Sequence, residues 1–199
     1  MRGVILYGPP AAGKDTLTAA LGGVRAEYRP VVKVKVGSGN DRGYRMATAR
    51  ELAELRRDGR IVQQHSRYGN TYAVDRVEVE GVWAAGGIPV LHTGRLADLR
   101  TLRGGLAAPF LSVLLWCDRD TTARRSAGRG DADTGWRLSV WDETAAELAR
   151  SGPGDFDLAI RTDRTAPGHA ARLIDRAVSA RAGDPAAVAA LVEEITRSG

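Results

Sequence analysis

Residues 8–16 read GPPAAGKDT. Gly8, four intervening residues, then Gly13-Lys14 is the spacing of a phosphate-binding loop, in which backbone N–H groups and one lysine converge on a nucleoside di- or triphosphate. The usual pattern continues with Ser or Thr, whose hydroxyl touches magnesium; here Asp15 stands first and Thr16 second. The flanks fit the loop. Gly3 to Tyr7 (GVILY) has the uninterrupted apolar character of a buried parallel strand, and Lys14 to Leu21 reads as the helix after it, stopped by Gly22-Gly23. Gly8, Ala11, Ala12, Gly13, Lys14, Asp15 and Thr16 are therefore the candidate residues for binding the phosphates of a nucleoside triphosphate. A carboxylate is a hard oxygen ligand, so Asp15, with Thr16, is a candidate ligand for Mg2+.

Outward from the loop, strands and helices alternate. Val31 to Val36 (VVKVKV) puts Val32, Val34 and Val36 on one face and Lys33 and Lys35 on the other. Thr48, with Glu51 three residues on, opens a helix to Asp58 through a capping box. RIVQQ and NTYAV read as short strands around HSRYG, and Asp75 caps a helix that ends at Gly86-Gly87. Ile88 to Leu91 and Pro109 to Trp116 are strands, the latter the most apolar and hence central; Leu96 to Leu102 is helical. A helix from Asp120 runs into GRGDADTG, a long helix reaches Arg150, and SGPG breaks it. Asp157 to Arg161 is a strand, followed by two C-terminal helices. This order predicts an α/β protein, a three-layer P-loop NTPase fold with a mainly parallel sheet.

Composition narrows the class. With 199 residues, 43% hydrophobic and 27% charged, the chain is of single-domain globular type. No run approaches the 18 apolar residues of a membrane span, and the lone Cys117 excludes an internal disulfide, which fits a cytoplasmic protein. The net charge of +5 suits an anionic ligand, yet the chain lacks an aromatic-rich basic stripe, which argues against nucleic acid. Of 29 basic residues only three are lysine (Lys14, Lys33, Lys35), which singles them out in an arginine-rich chain.

A second cluster lies in the Gly- and Asp-rich stretch around 124–137, where Arg124, Arg125, Arg129 and Arg137 gather. Arginines that close over a transferring phosphoryl group neutralise its charge, and a closing lid excludes water.

In order and spacing over most of its length the chain resembles the nucleoside monophosphate kinases, guanylate kinase most of all. DRGYRM matches that family's DG-x-DY element and places Tyr44 on a tyrosine that contacts the acceptor phosphate; GNTYAV places Tyr72 on the second. Arg125, Arg129-Gly130 and Arg137-Leu138 resemble the family's lid pattern, Glu143 its glutamate, and FDLAIRTD its late strand, with Thr162 where an Asn often meets the donor adenine. The resemblance implies a guanylate kinase-like fold with a core (1–32, 81–117, 141–199), an acceptor-binding region (33–80) and a lid (118–140). It fails at the base-reading end: Gln63 replaces a glutamate, Gly94 falls near the place of an aspartate, and an arginine pair is missing. Guanine offers N–H donors that carboxylates accept and an amide serves less well. GKDT also resembles GKDS of ribose 1,5-bisphosphate phosphokinase, a related sugar-phosphate kinase.

The expectation is an ATP-dependent phosphotransferase acting on a phosphorylated small molecule, a nucleoside monophosphate not restricted to GMP, in a monomer or homodimer. Lys14, Arg125, Arg129 and Arg137 are the candidate catalytic residues. Lys33, Lys35, Arg42, Tyr44, Gln63, Arg67, Tyr72, His92 and Thr93 are the candidate acceptor-binding residues. Lys33 and Lys35 equally fit the solvent face of an edge strand, and His65 and His92 equally fit structural roles. A sugar-phosphate kinase and a non-catalytic nucleotide-binding interaction protein are the alternatives.

Overall fold

The computed structural model describes residues 2–39, 41–67, 69–128 and 134–198. In chain order the elements are β1 (Gly3–Tyr7), α1 (Lys14–Val24), β2 (Tyr28–Pro30), β3 (Lys33–Val36), β4 (Tyr44–Met46), α2 (Ala49–Arg57), β5 (Ile61–Arg67), β6 (Asn70–Asp75), α3 (Arg76–Ala84), β7 (Ile88–Thr93) and α4 (Leu96–Gly105). They continue with β8 (Phe110–Trp116), α5 (Arg119–Ala127), α6 (Thr134–Ser151), β9 (Leu158–Arg161), α7 (Pro167–Ala180) and α8 (Pro185–Ser198). The main sheet has five parallel strands in the order β2-β7-β1-β8-β9.

The apolar strands β1 and β8 are buried along their whole length. Successive side chains of a strand point to opposite faces, so β1 feeds two cores. Val4 and Leu6 pack with Leu17 and Leu21 of α1 and with Ile174 and Val178 of α7. Ile5 and Tyr7 pack with Leu99 and Leu102 of α4, Leu148 of α6 and Val188 and Leu191 of α8. The result is a three-layer sandwich with the loop after β1 at the carboxyl end of the sheet, where open α/β sheets bind ligands.

A second, four-stranded sheet, β4-β3-β6-β5, is mixed: β3 pairs parallel with β4 and antiparallel with β6. Its small core is Val34, Leu52, Leu55 and Ala73. The capping box at Thr48 is present, with Thr48 Oγ1 accepting from Glu51 N at 3.2 Å.

Three local expectations are corrected. Helix α1 runs through Gly22-Gly23 to Val24, because Leu21, fully buried, holds that turn against the sheet. Strand β5 extends through Arg67, so His65 and Ser66 belong to the strand and not to a loop. The lysine strand β3 is internal, flanked by β4 and β6, which removes the edge-strand reading of Lys33 and Lys35.

Candidate active site

The loop between β1 and α1 is shaped by its glycines. A Cβ on Gly8 would lie 2.4 Å from the Leu115 carbonyl oxygen of β8, so only glycine fits there. Gly13 adopts φ 88° and Ala11 φ 60°, turning the backbone into the start of α1. Gly8 N–H donates to Thr93 O at 3.2 Å, which anchors the loop to the end of β7. Thr93 itself is buried and its Oγ1 accepts from Arg95 N at 3.3 Å, so it shapes the β7–α4 turn.

Lys14 Nζ folds back across this loop, donating to Gly8 O at 2.6 Å and Pro9 O at 2.9 Å. Burial pulls its ammonium down to about 8, the nearby Asp15 charge opposing this and Lys33 and Arg137 reinforcing it. Lys33, from β3, crosses between the sheets and donates to His92 O of β7 at 2.6 Å. Burial brings it also to about 8. His92 sits between the two lysines. Burial, and then the Lys14 charge, push its imidazole down to about 4, so it is neutral at physiological pH. Its Nε2 lies 2.7 Å from Thr18 Oγ1, which donates to Lys14 O, and its Nδ1 lies 3.5 Å from Asp15 Oδ1. Thr18, one helical turn after Lys14 on the same face, escapes motif reading because its role depends on a partner 74 residues away.

Two clefts flank this centre. The cleft of about 170 Å³ on one side is lined by Gly13, Thr16, Leu17, Arg125, Thr162 and Pro167. Arg125 spans it, its Nη1 donating to Ala11 O at 3.0 Å and Thr162 Oγ1 at 3.1 Å and its Nη2 to Thr162 O at 2.7 Å. The cleft of about 350 Å³ on the other side is lined by Asp15, Lys33, Arg42, Tyr44 and His92. Consecutive helical residues point about 100° apart, and so Asp15 and Thr16 face different clefts.

Deeper in the second sheet, Lys35 is buried, its Nζ donating to Ser38 O at 2.6 Å and lying 5.7 Å from the Tyr44 ring and 5.9 Å from the Tyr72 ring. The two tyrosine rings are 5.4 Å apart. Register explains the grouping: Lys33 pairs with Tyr44 and Lys35 with Tyr72. His65 stacks on the other side of Tyr72 at 5.3 Å. Its Nδ1 lies 3.2 Å from Asp98 Oδ2 of α4 and 3.2 Å from Gln63 Nε2. Gln63 is buried in that contact. Burial would raise the Asp98 carboxyl, but the His65 hydrogen bond and charge outweigh it and hold Asp98 below the usual carboxylate range.

Not every candidate joins one site. Arg67 lies apart from Lys33, Arg42 and Tyr44, in a third cleft, beside Glu143 at 3.9 Å and 5.0 Å from the Trp136 ring. Arg137 is in the first turn of α6, near enough to Lys14 to lower its pKa. Arg129, and the part of the expected lid around it, lie outside the described residues. Among the described residues no group of three or more His, Cys, Asp or Glu side chains is gathered to hold a metal, and no helix is long and apolar enough to cross a membrane.

The five-stranded parallel sheet, the glycine-shaped loop before α1 and the smaller sheet facing it define a guanylate kinase-like P-loop kinase fold. Among solved structures the chain is similar to the guanylate kinase from Anaplasma phagocytophilum, with a TM-score of 0.62 and 18% identity over 90% of this chain and 86% of that one. It also matches the shikimate kinase from Acinetobacter baumannii, solved in complex with shikimate, with a TM-score of 0.49 and 16% identity over 91% of this chain and 94% of that one. No family model and no curated protein matches the sequence.

Proposed function

We propose that this protein transfers the γ-phosphoryl group of ATP to the phosphate of a small phosphorylated acceptor of nucleoside monophosphate size. The observation that carries the reading is the convergence of Lys14, Lys33 and His92 at the mouth of the phosphate loop, between one cleft sized for a base and one lined by Lys33, Arg42 and Tyr44. An acceptor phosphate oxygen attacks the γ-phosphorus, the bond from that phosphorus to the β–γ bridging oxygen breaks, and ADP leaves. Such transfer depends on positioning and charge stabilisation.

Lys14 and the loop N–H groups hold the donor phosphates. Arg125 and Thr162 clasp the base end of ATP. Lys33, Lys35, Arg42, Tyr44 and Tyr72 hold the acceptor phosphate, and Arg137 neutralises charge on the transferring group, a role that the sequence resemblance extends to Arg129. Magnesium supplies charge neutralisation on the phosphates when bound. Asp15, with its carboxylate 87% exposed at the start of α1, fits that ion as an oxygen ligand, whereas Thr16 faces the base side. The division into core, acceptor-binding sheet and lid belongs to the same proposal, as does a monomeric or dimeric cytoplasmic enzyme.

Gln63 and Asp98 are engaged with His65, leaving the guanine N–H donors without a free carboxylate. GMP is accordingly expected to be a poor acceptor. Measuring ADP formation from magnesium-ATP with each common nucleoside monophosphate and a no-acceptor blank tests this. A kcat/KM for GMP at least ten-fold below that for the preferred acceptor is the predicted result. GMP as the preferred acceptor would overturn the assignment of the base-end residues.

A further inference from the structure

Beside the phosphate loop, two side chains bring ligand atoms face to face. Asp15 lies in the first turn of α1 and His92 near the end of β7, and both line the cleft of about 350 Å³ that also holds Lys33, Arg42 and Tyr44. Asp15 Oδ1 and His92 Nδ1 stand 3.5 Å apart there. We propose that these two side chains together ligate the divalent ion that enters with the nucleotide, and that the nitrogen ligand makes the site favour a first-row transition ion such as Mn2+ or Co2+ over Mg2+. This rests on the nucleotide-binding reading of the loop above and names the metal class of that site.

Hydrogen bonding decides which ring nitrogen is available. Thr18 Oγ1 donates its one proton to Lys14 O at 2.9 Å, so toward His92 Nε2, 2.7 Å away, it accepts. Nε2 therefore carries the ring proton and Nδ1 presents its lone pair. A ligating histidine ordinarily fixes its ring in this way, through the N–H that faces away from the metal. Among the described residues Nδ1 has no hydrogen-bond partner, and what faces it is a second acceptor, the Asp15 carboxylate. Two acceptors facing one another with no proton between them make a place for a cation. Ligand atoms each about 2.1 Å from one ion stand about 3.0–3.4 Å apart across angles of about 90–110°. The observed 3.5 Å thus needs only a small closing movement, which the exposed Asp15 side chain has room to make while Thr18 holds the ring. Selectivity follows from ligand chemistry. Imidazole nitrogen suits first-row transition ions, whereas Mg2+ prefers oxygen and keeps its waters. The neighbouring cations set when the ion binds. Lys33 Nζ sits on the His92 carbonyl at 2.6 Å and Lys14 Nζ on the Gly8 carbonyl at 2.6 Å, so both ammonium groups oppose a bare dication. Nucleotide phosphates offset that repulsion and supply the oxygens that complete the coordination.

The test reads the metal itself. Mn2+ and Mg2+ are titrated onto the protein in the presence of ADP, and the Mn2+ spin echo of the complex is recorded. Wild type, Asp15→Asn, His92→Leu and His65→Gln are compared, with circular dichroism to verify each fold. The expected result is nitrogen modulation from a directly bound imidazole in wild type and in His65→Gln, and none in His92→Leu. The preference for Mn2+ over Mg2+ is expected to fall at least five-fold in His92→Leu, and Mn2+ affinity at least ten-fold in Asp15→Asn and at least ten-fold in wild type without ADP. A wild-type complex of Mn2+ and ADP that lacks nitrogen modulation would overturn the histidine ligand, whatever the variants do, and leave the nucleotide site standing. Modulation that persists in folded His92→Leu, or an unchanged metal preference, would overturn it too. Modulation lost in His92→Leu, with no phosphoryl transfer to any nucleoside monophosphate under either metal, would keep the metal site and remove the kinase reading. Failure of wild type to bind ADP with either metal would remove both.

Discussion

At Gly8 the spacing of a motif becomes a steric fact. A methyl group there meets the Leu115 carbonyl at 2.4 Å and Ala12 Cβ at 3.1 Å, and neither is the free end of a flexible side chain. Gly8→Ala is therefore expected to cost roughly 1–3 kcal/mol of stability through forced backbone shifts, with loss of ATP affinity as the loop deforms. Urea unfolding together with nucleotide titration checks this; an unchanged midpoint and affinity would show that the loop has room. Gly8, Gly13 and Lys14 were legible because phosphate binding demands a fixed local spacing. Lys33 and Lys35 were legible as a pair because strand alternation puts both on one face. Asp98, Thr18 and Glu147 were not. Each sits in a helix where an acid or a threonine is ordinary, and each acquires its role only from a partner far along the chain, respectively His65, His92 and Tyr7.

Among the elements, β9 shows how the cleft beside Arg125 is held. Its last residue, Arg161, bonds both Asp163 and Glu194 of α8, and the turn between Arg161 and Asp163 carries Thr162 into the cleft it lines with Gly13 and Arg125. Burial would raise the Asp163 carboxyl, but the hydrogen bond and charge of Arg161, aided by backbone N–H groups, outweigh it and hold Asp163 at about 2. A carboxyl depressed in the folded state stabilises above its ordinary pKa near 4, and that contribution fades as pH falls from about 4 to about 2. The loss amounts to roughly 2 kcal/mol. Asp163→Asn should lower stability at pH 7 and flatten that acid limb; an identical pH profile in the variant would contradict the pairing. Long apolar elements such as β1 and β8 were legible from composition alone. β2 and β4 were not, because three residues carry no periodicity and their pairing to β7 and β3 is set by the fold.

Across the whole molecule, the proposed transfer depends on how the smaller sheet faces the larger one. Lys33 to His92, His65 to Asp98, and Arg67 beside Trp136 and Glu143 bridge the gap at three points, all at the carboxyl end of the parallel strands. The sequence implied this geometry through its likeness to the nucleoside monophosphate kinases. It did not reveal that Arg67 serves a different cleft from Lys33, because separation across a cleft leaves no trace in spacing. Central to the account is a phosphate loop whose lysine holds ATP. The direct measurement is equilibrium binding of magnesium-ATP to wild type and Lys14→Ala, with circular dichroism to verify the fold. The account predicts a native spectrum for the variant, at least a hundred-fold loss of affinity and no ADP formation. Wild-type affinity and turnover in a folded Lys14→Ala protein would contradict it.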